Sequence, residues 1–509
     1  MINRILLKNK QLVRWFLAVA AGLLFTSALA IVSCARSGDM LFTGAPDDPA
    51  HELVKSENRY DLSFVITGSN AGEFEPCGCG GVFEGGLSRR STIIQNLKKI
   101  NPNVILVDTG DLTCDRQVEQ IEFLAQAYHL LDYDAIALGE GDLRVGVKAL
   151  DTYVRKYHLP YIASNLKFTI PTDIRETLTL QRCGKKLAFI SVISDRWLAI
   201  IPPQNRAEIR YESPATAIRR LVPELKKQKY DAVILLSHLG QNERKLVEGA
   251  LDGVDLWIDN GGHQWVGRRE ALATQPAFLQ TDSTPPLLVS WSNDRKVGIA
   301  GVKWQGGKLI VPVAEMIPVA REIKEDSRFL EIYDAYKFVS RQEMINRLMA
   351  PRATSTRPAK GFPYVSSETC GGCHQDIYDF WKKTKHATAF ETLAKTGRDV
   401  DINCLACHTT GYREPGGFDS QLATPDRKNV GCQSCHKIDL KNHHNKPSDP
   451  RFAAVEELRA KQHNIIKSWQ CQRCHVPHRS PKFDYRTYLK KIKCSPETSQ
   501  LQTTKPTSY

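Results

Sequence analysis

The sequence predicts two unlike halves: an α/β layered domain, a β-sandwich flanked by helices, followed by a mostly α and irregular domain without the material for an apolar core. Three observations carry this. From residue 60 to about residue 319, short apolar runs alternate with amphipathic stretches, the pattern of strands and helices stacked in layers. Residues 350–361 are rich in Pro, Thr and Arg and read as a linker. Beyond it, residues 366–494 repeat Cys-x-x-Cys-His four times, with roughly 30 residues for each copy, too few to bury an ordinary core around it.

In the first half, residues 62–67, 104–108, 135–138, 187–193, 232–237 and 256–259 are mostly apolar, as expected of strands covered on both faces. Residues 91–99, 117–131, 147–157 and 215–228 carry helical periodicity between them. Functional loops in such folds follow the carboxyl ends of strands. The order predicted along the chain is a targeting segment at 1–34, a polar tether at 35–58, the α/β domain at 59–320, a charged helical linker at 321–365, the cysteine-rich domain at 366–494 and a polar, disordered tail at 495–509.

The targeting segment opens with Arg4, Lys8, Lys10 and Arg14, and residues 15–33 are then uncharged and mostly apolar. Three fates fit it. Ile31-Val32-Ser33-Cys34 has the form of a bacterial lipobox, in which Cys34 would be lipidated. Ala28-Leu29-Ala30 fits an ordinary signal peptidase site. The apolar run is also long enough to remain as an uncleaved anchor. The lipoprotein reading is preferred, with the anchor second. Each puts the bulk of the chain on the periplasmic side of a bacterial membrane.

The four repeats are Cys370-Gly371-Gly372-Cys373-His374, Cys404-Leu405-Ala406-Cys407-His408, Cys432-Gln433-Ser434-Cys435-His436 and Cys471-Gln472-Arg473-Cys474-His475. Two thiols at this spacing can add to the two vinyl groups of one haem while the adjacent histidine ligates its iron. The reading is four covalently bound haem c groups with His374, His408, His436 and His475 as proximal ligands. The porphyrins would fill the interior that side chains cannot, leaving short helices that carry each histidine. Spacing does not assign the distal ligands, for which His386, His443, His444, His463 and His478 are the candidates; that surplus favours mostly bis-histidine ligation. The formal net charge of +13 does not point to nucleic acid, because no basic helix with interleaved aromatics accompanies it. Lysines around haem propionates and on solvated faces account for it. Outside the repeats and Cys34, the cysteines are Cys77, Cys79, Cys114, Cys183 and Cys494. In an oxidising compartment, that odd number invites a ligand role or a free thiol as well as disulfides.

Three further segments bear on the second half. Residues 381–390 run Trp381-Lys382-Lys383-Thr384-Lys385-His386-Ala387-Thr388-Ala389-Phe390, residues 404–411 end on Thr409-Thr410-Gly411, and Val430-Gly431 precedes Cys432. With these, residues 365–494 resemble the tetrahaem cytochrome family that accepts electrons from hydroxylamine oxidoreductase. The resemblance makes His386 a distal ligand through the family's W-x-x-T/S-x-H-A-x-A-F pattern. Where the family's third segment continues with Gly-Pro-Gly, this chain has Lys437-Ile438-Asp439; His443, ahead of Pro447, takes the ligand place, with His444 as the fallback. The resemblance implies electron transfer with a redox partner protein or a small donor or acceptor, and allows one five-coordinate haem.

The first half carries seven ordered segments: Thr67-Gly68-Ser69-Asn70-Ala71-Gly72, Gly85-Gly86-Leu87-Ser88-Arg89, Val107-Asp108-Thr109-Gly110-Asp111, Ala137-Leu138-Gly139-Glu140-Gly141-Asp142, Ala163-Ser164-Asn165-Leu166, Leu236-Ser237-His238-Leu239-Gly240 and Gly261-Gly262-His263. Together they resemble the 5′-nucleotidase branch of the calcineurin-like metallophosphoesterases. That family holds two metals bridged by one aspartate. The Asp and His of its first motif are here Ser69 and Ala71, and a further ligand place is Trp265, so the metal they serve is expected to be absent. The resemblance leaves Asp111, Glu140, His238 and His263 for one zinc, iron or manganese ion. The family's catalytic histidine is Gly141 here, and two-metal hydrolysis needs both ions. Phosphohydrolase activity is therefore disfavoured. Cys77, Cys79 and Cys114 stand near the altered motifs and offer either a thiol-containing metal or redox site, or a disulfide of Cys77 or Cys79 to Cys114 or Cys183. A vestigial pocket that only binds a partner is the third option.

The function favoured by the sequence is that of a tetrahaem electron carrier. The alternatives are a redox enzyme acting on a small sulfur or nitrogen compound at the metal and thiol pocket, and, last, a 5′-nucleotidase-type phosphohydrolase.

Overall fold

The computed structural model describes residues 60–75, 84–113, 118–199, 201–261, 278–281, 285–290, 295–349, 364–412, 414, 416–436, 466, 468–475, 480 and 483–492. The expectations that fall on Cys34, Cys77, Cys79, Cys114, His263, Trp265, His443, His444, His463, His478 and Cys494 lie outside these residues.

The strands of the first half are β1 (Leu62–Thr67), β2 (Ile105–Asp108), β3 (Ala135–Ala137), β4 (Tyr161–Ile162), β5 (Leu166–Phe168), β6 (Thr177–Arg182), β7 (Lys185–Ile193), β8 (Ile209–Tyr211), β9 (Ala232–His238), β10 (Leu256–Asp259), β11 (Phe278–Thr281), β12 (Leu287–Ser290), β13 (Lys296–Gln305) and β14 (Lys308–Pro318). Twelve of them build two six-stranded sheets of mixed direction, ordered β14-β13-β1-β2-β3-β4 and β11-β12-β10-β9-β7-β6, and β5 pairs with β8 in an antiparallel two-stranded sheet. Strands β1 to β4 run parallel to one another, as do β7, β9, β10 and β12.

The sheets face each other. Leu62, Phe64, Ile66, Ile105 and Val107 of the first pack with Phe189, Ile234, Leu236 and Ile258 of the second in one buried cluster. The alternate residues point outward. Val65 and Leu106 meet helices α1 (Leu87–Ile100), α2 (Val118–Leu131) and α4 (Val147–Tyr157), with the short α3 (Glu140–Arg144) before α4. Val233 and Leu235 meet α5 (Pro214–Lys227) on the far side. Burial on both faces explains the mostly apolar runs, and each fully buried Phe or Ile contributes about 1.5–3 kcal/mol. The start of α5 follows from its sequence: Ser213 caps the Thr216 amide at 3.2 Å, and Pro214 opens the helix.

The segment expected to be a linker differs. Helix α6 (Ser327–Met349) buries Phe329, Ile332, Tyr333 and Tyr336 in the same cluster as α1 and α2. Its first half belongs to the α/β core, because its apolar residues recur three and four apart on one face. The charged residues that gave it the look of a linker occupy the other face.

The second half consists of short helices: α7 (Ser367–Gly371), α8 (Gln375–Lys382), α9 (Ala389–Ala394), α10 (Ile402–His408), α11 (Cys432–Cys435), α12 (Ser468–Gln472) and α13 (Tyr485–Ile492). Its buried apolar cluster is small, comprising Phe390, Leu393, Leu405 and Phe418. Among the described residues, no helix is long and apolar enough to cross a membrane.

Candidate functional site

Three of the four residues proposed to hold a metal converge at strand carboxyl ends. Asp111 follows β2, Glu140 opens α3 after β3, and His238 ends β9 in the opposite sheet. All three are buried, and one potential ligand atom from each lies within 4.8 Å of the others. His238 Nε2 is 2.7 Å from Glu140 Oε2 and 3.4 Å from Asp111 Oδ2. Its Nδ1 lies 3.4 Å from the Thr109 carbonyl; the tautomer protonated at Nδ1 therefore directs Nε2 at the two carboxylates. The edge of Trp197 closes one side, with ring centres 5.9 Å apart. Two carboxylates and an imidazole in a buried cluster suit a divalent transition metal. The fourth predicted ligand, His263, is outside the described residues.

The backbone holds these groups close. Gly110 and Asp111 both have positive φ, 102° and 64°, and a Cβ on Gly110 would collide with the Gly139 backbone. The β2 and β3 loops thus touch. Asp142 ties them together, its carboxylate accepting from the amides of Asp111, Thr113 and Gly139, each at 3.1 Å. Burial raises the Asp142 pKa well above the usual carboxylate range, and the neighbouring Asp111 charge adds to this. Asp108 is raised by burial as well, against hydrogen bonds from Thr67 Oγ1 at 2.6 Å and the Gly110 amide at 2.9 Å.

The loop after β1 runs around Asp111. The Ser69 and Ala71 amides donate to the Gly110 and Asp111 carbonyls, each at 2.8 Å, with both residues at positive φ. What the loop presents is a hydroxyl and a methyl, and the hydroxyl donates to Asn260 Oδ1 at 3.1 Å. Asn260 Nδ2 donates in turn to the Thr109 carbonyl at 3.1 Å. At residue 141, a Cβ would strike the Thr113 carbonyl, so the turn has no room for a side chain there. Sequence reasoning missed Asp142 and Asn260 as positioning residues. Both stand within or beside quoted segments, but only long-range contacts reveal what they hold.

In the second half, the first and third repeats lie side by side, their Cys370 and Cys432 thiols hydrogen bonded. The second and fourth do likewise through Cys407 and Cys474. His408 Nδ1 is 2.7 Å from the Ala389 carbonyl, and His475 Nδ1 is 3.0 Å from Ser480 Oγ. His475 stacks on Phe483 with ring centres 4.4 Å apart. The His386 ring centre is 6.1 Å from that of His475. His374 is exposed and caps α8, and His436 follows α11. Backbone bonds hold the segment carrying His386: its carbonyl accepts from the Val430 amide at 3.1 Å, and Trp381 Nε1 donates to the Val430 carbonyl at 3.0 Å.

The chain is thus a double-sheet α/β domain with a buried carboxylate and imidazole cluster at its strand ends, followed by a segment of short helices that carries the Cys-x-x-Cys-His repeats. Residues 369–437 match the family model described as cytochrome c554 and c-prime. The chain is 32% identical over 89 residues to cytochrome c-554 of Nitrosomonas europaea, covering 14% of this chain and 38% of that protein. It is 27% identical over 238 residues to 5′-nucleotidase of Rattus norvegicus, covering 42% of this chain and 38% of that protein. Among solved structures, it is similar to a 5′-nucleotidase precursor from Thermus thermophilus, with 20% identity and a TM-score of 0.47, over 56% of this chain and 59% of that one. The chain thus spans 38% of the length of each of these curated relatives. The first half matches 5′-nucleotidases and the second matches cytochrome c554, as the two resemblances implied.

Proposed function

We propose that this chain is an electron-transfer protein on the periplasmic side of a bacterial membrane, tethered through a lipid on Cys34 or through an uncleaved helix. It carries four haem c groups in residues 366–494, joined to a phosphoesterase-like domain that keeps one metal ion and does not hydrolyse phosphoesters. The observation that carries this is four Cys-x-x-Cys-His repeats, the first three of them within residues 369–437, which match the cytochrome c554 family model.

Each repeat places its two cysteines about one helical turn apart and its histidine directly after them. The haems, when bound, supply reversible one-electron storage. The protein orients their ligands: bonds from Nδ1 to the Ala389 carbonyl and to Ser480 leave Nε2 of His408 and His475 to face iron. His386 and His475, whose ring centres are 6.1 Å apart, would together hold the iron of the fourth haem, with His386 as its distal ligand. His443, His444, His463 and His478 remain candidates for the others. Asp111, Glu140 and His238, with His263, would hold zinc, iron or manganese, which would supply Lewis acidity. With Ser69 and Ala71 at the second metal's ligand places and Gly141 at that of the general acid, hydrolysis lacks its machinery.

The test uses the full chain from cells with cytochrome-maturation machinery. A pyridine haemochrome assay should count four haems, and metal analysis should find one further ion that is lost in His238→Ala. Neither protein should turn over phosphomonoesters. Clear nucleotidase turnover, or a colourless product, would end this reading. Cys34→Ala should release the protein from the membrane fraction if the tether is a lipid.

A further inference from the structure

Among the described residues, the hydrogen bonds and ion pairs between the two domains gather just ahead of the second repeat. Arg398 Nη2 lies 2.5 Å from Glu75 Oε2 in the α/β domain, with both side chains largely covered. The Tyr333 hydroxyl of α6 donates to Asp401 Oδ2 at 2.9 Å, and both residues are buried. The Asp401 carbonyl accepts from the Cys404 amide at 2.9 Å, so the carboxylate stands at the turn that opens the haem-bearing helix α10. Tyr333 stacks on Phe74 with ring centres 5.3 Å apart. Phe74 is three residues beyond Ala71, whose amide is bonded to the Asp111 carbonyl. The seam therefore joins the altered metal loop to the second haem site.

We propose that Glu75, Arg398 and Asp401 set the redox potential of the haem attached at Cys404 and Cys407, making that haem the one tuned by the phosphoesterase-like domain. This rests on the tetrahaem reading. Charges in a covered seam are weakly screened, so each acts at longer range and more strongly than on an open surface. A fixed carboxylate stabilises the ferric over the ferrous form and lowers the potential; a guanidinium does the reverse. Tyr333 serves as a neutral donor to Asp401, since burial and that carboxylate push its phenol far above its usual pKa. Tyr333, Arg398 and Glu75 are positioning and tuning groups and need not touch the porphyrin.

Spectroelectrochemical titration of the full-length holoprotein at about pH 8, where free carboxylates are ionised, tests this. His408→Met labels the second haem, because an axial thioether raises the potential. Asp401→Asn should move that same wave to more positive potential, and Glu75→Gln should move it the same way by less. Arg398→Gln should move it negative, while Arg398→Lys should leave it near the parent. The other waves should stay. Opposite signs for removal of opposite charges are a signature that loosened packing would not produce. Unmoved waves, shifts of one sign in all variants, or shifts in a wave other than the labelled one would overturn the assignment. If Asp401→Asn fails to mature, Glu75→Gln decides, since it leaves the haem segment's own sequence intact. A haem count below four in the parent protein would reject the underlying reading instead, independently of any shift.

Discussion

Between residues 60 and 349, the chain buries apolar side chains in three clusters, one between its sheets and one outside each. Between residues 364 and 492, the described apolar cluster holds only Phe390, Leu393, Leu405 and Phe418. The first region is organised by its own side chains. The second is organised by hydrogen bonds such as Phe390 N to Asn429 Oδ1 at 2.7 Å and Gly431 N to Thr410 Oγ1 at 2.8 Å, around cysteines spaced for a covalent cofactor. The difference teaches that the two halves depend on different things. The α/β domain is held by hydrophobic burial, whereas the described residues of the second half enclose little apolar interior of their own, which on the tetrahaem reading the porphyrins would supply.

The largest expected effect follows directly. Chain made without haem attachment should lose residues 364–492 to limited proteolysis, while a resistant fragment ending near residue 349 keeps its cooperative melt. Equal resistance of both halves would break the comparison. Next, Phe64→Ala between the sheets should cost about 3–5 kcal/mol in denaturant unfolding. Phe418→Ala in the haem-loaded segment should cost less, because it lines a much smaller cluster. A third variant sharpens the contrast within the α/β domain. Ser69→Asp with Ala71→His should raise the metal content from one ion to two, because the loop already follows the course that surrounds Asp111. Phosphomonoesterase activity should still be absent, as the turn at Gly141 has no room for the general acid. The smallest effect concerns Asp259, whose pKa burial raises to about 6. A folded-state pKa above the unfolded value means that stability is greatest at low pH and is lost as pH rises through about 4 to 6. Compared with Asp259→Asn, the parent should therefore lose on the order of 3 kcal/mol across that window, read from denaturant midpoints at each pH.

Legibility differed from place to place for physical reasons. Strands β1, β10 and helix α4 lie where the apolar pattern predicts them, because their burial is nearly complete or strictly one-sided. The β13–β14 hairpin escaped notice although Gly306 and Gly307, at φ of 58° and 76°, mark its two-residue turn. In β14 the exposed Pro312 interrupts the apolar run, and in β13 Gly298 and Gly301 do so although both are buried. In the metal cluster, Asp111, Glu140 and His238 were legible through the resemblance and do converge. Asp142 and Asn260 were not, because their work is to bond backbone groups brought near only by folding.

Short spacings alone carried the chemistry of the thiol pairs with their adjacent histidines, and the hydroxyl and methyl at residues 69 and 71. Such features act within a turn or two of backbone and need no distant partner. Folding brought His386 beside His475, put the first half of α6 in the core and set Glu75 against Arg398. Those pairings join residues far apart in the chain, and it is the packing of sheets and helices, not local propensity, that selects them.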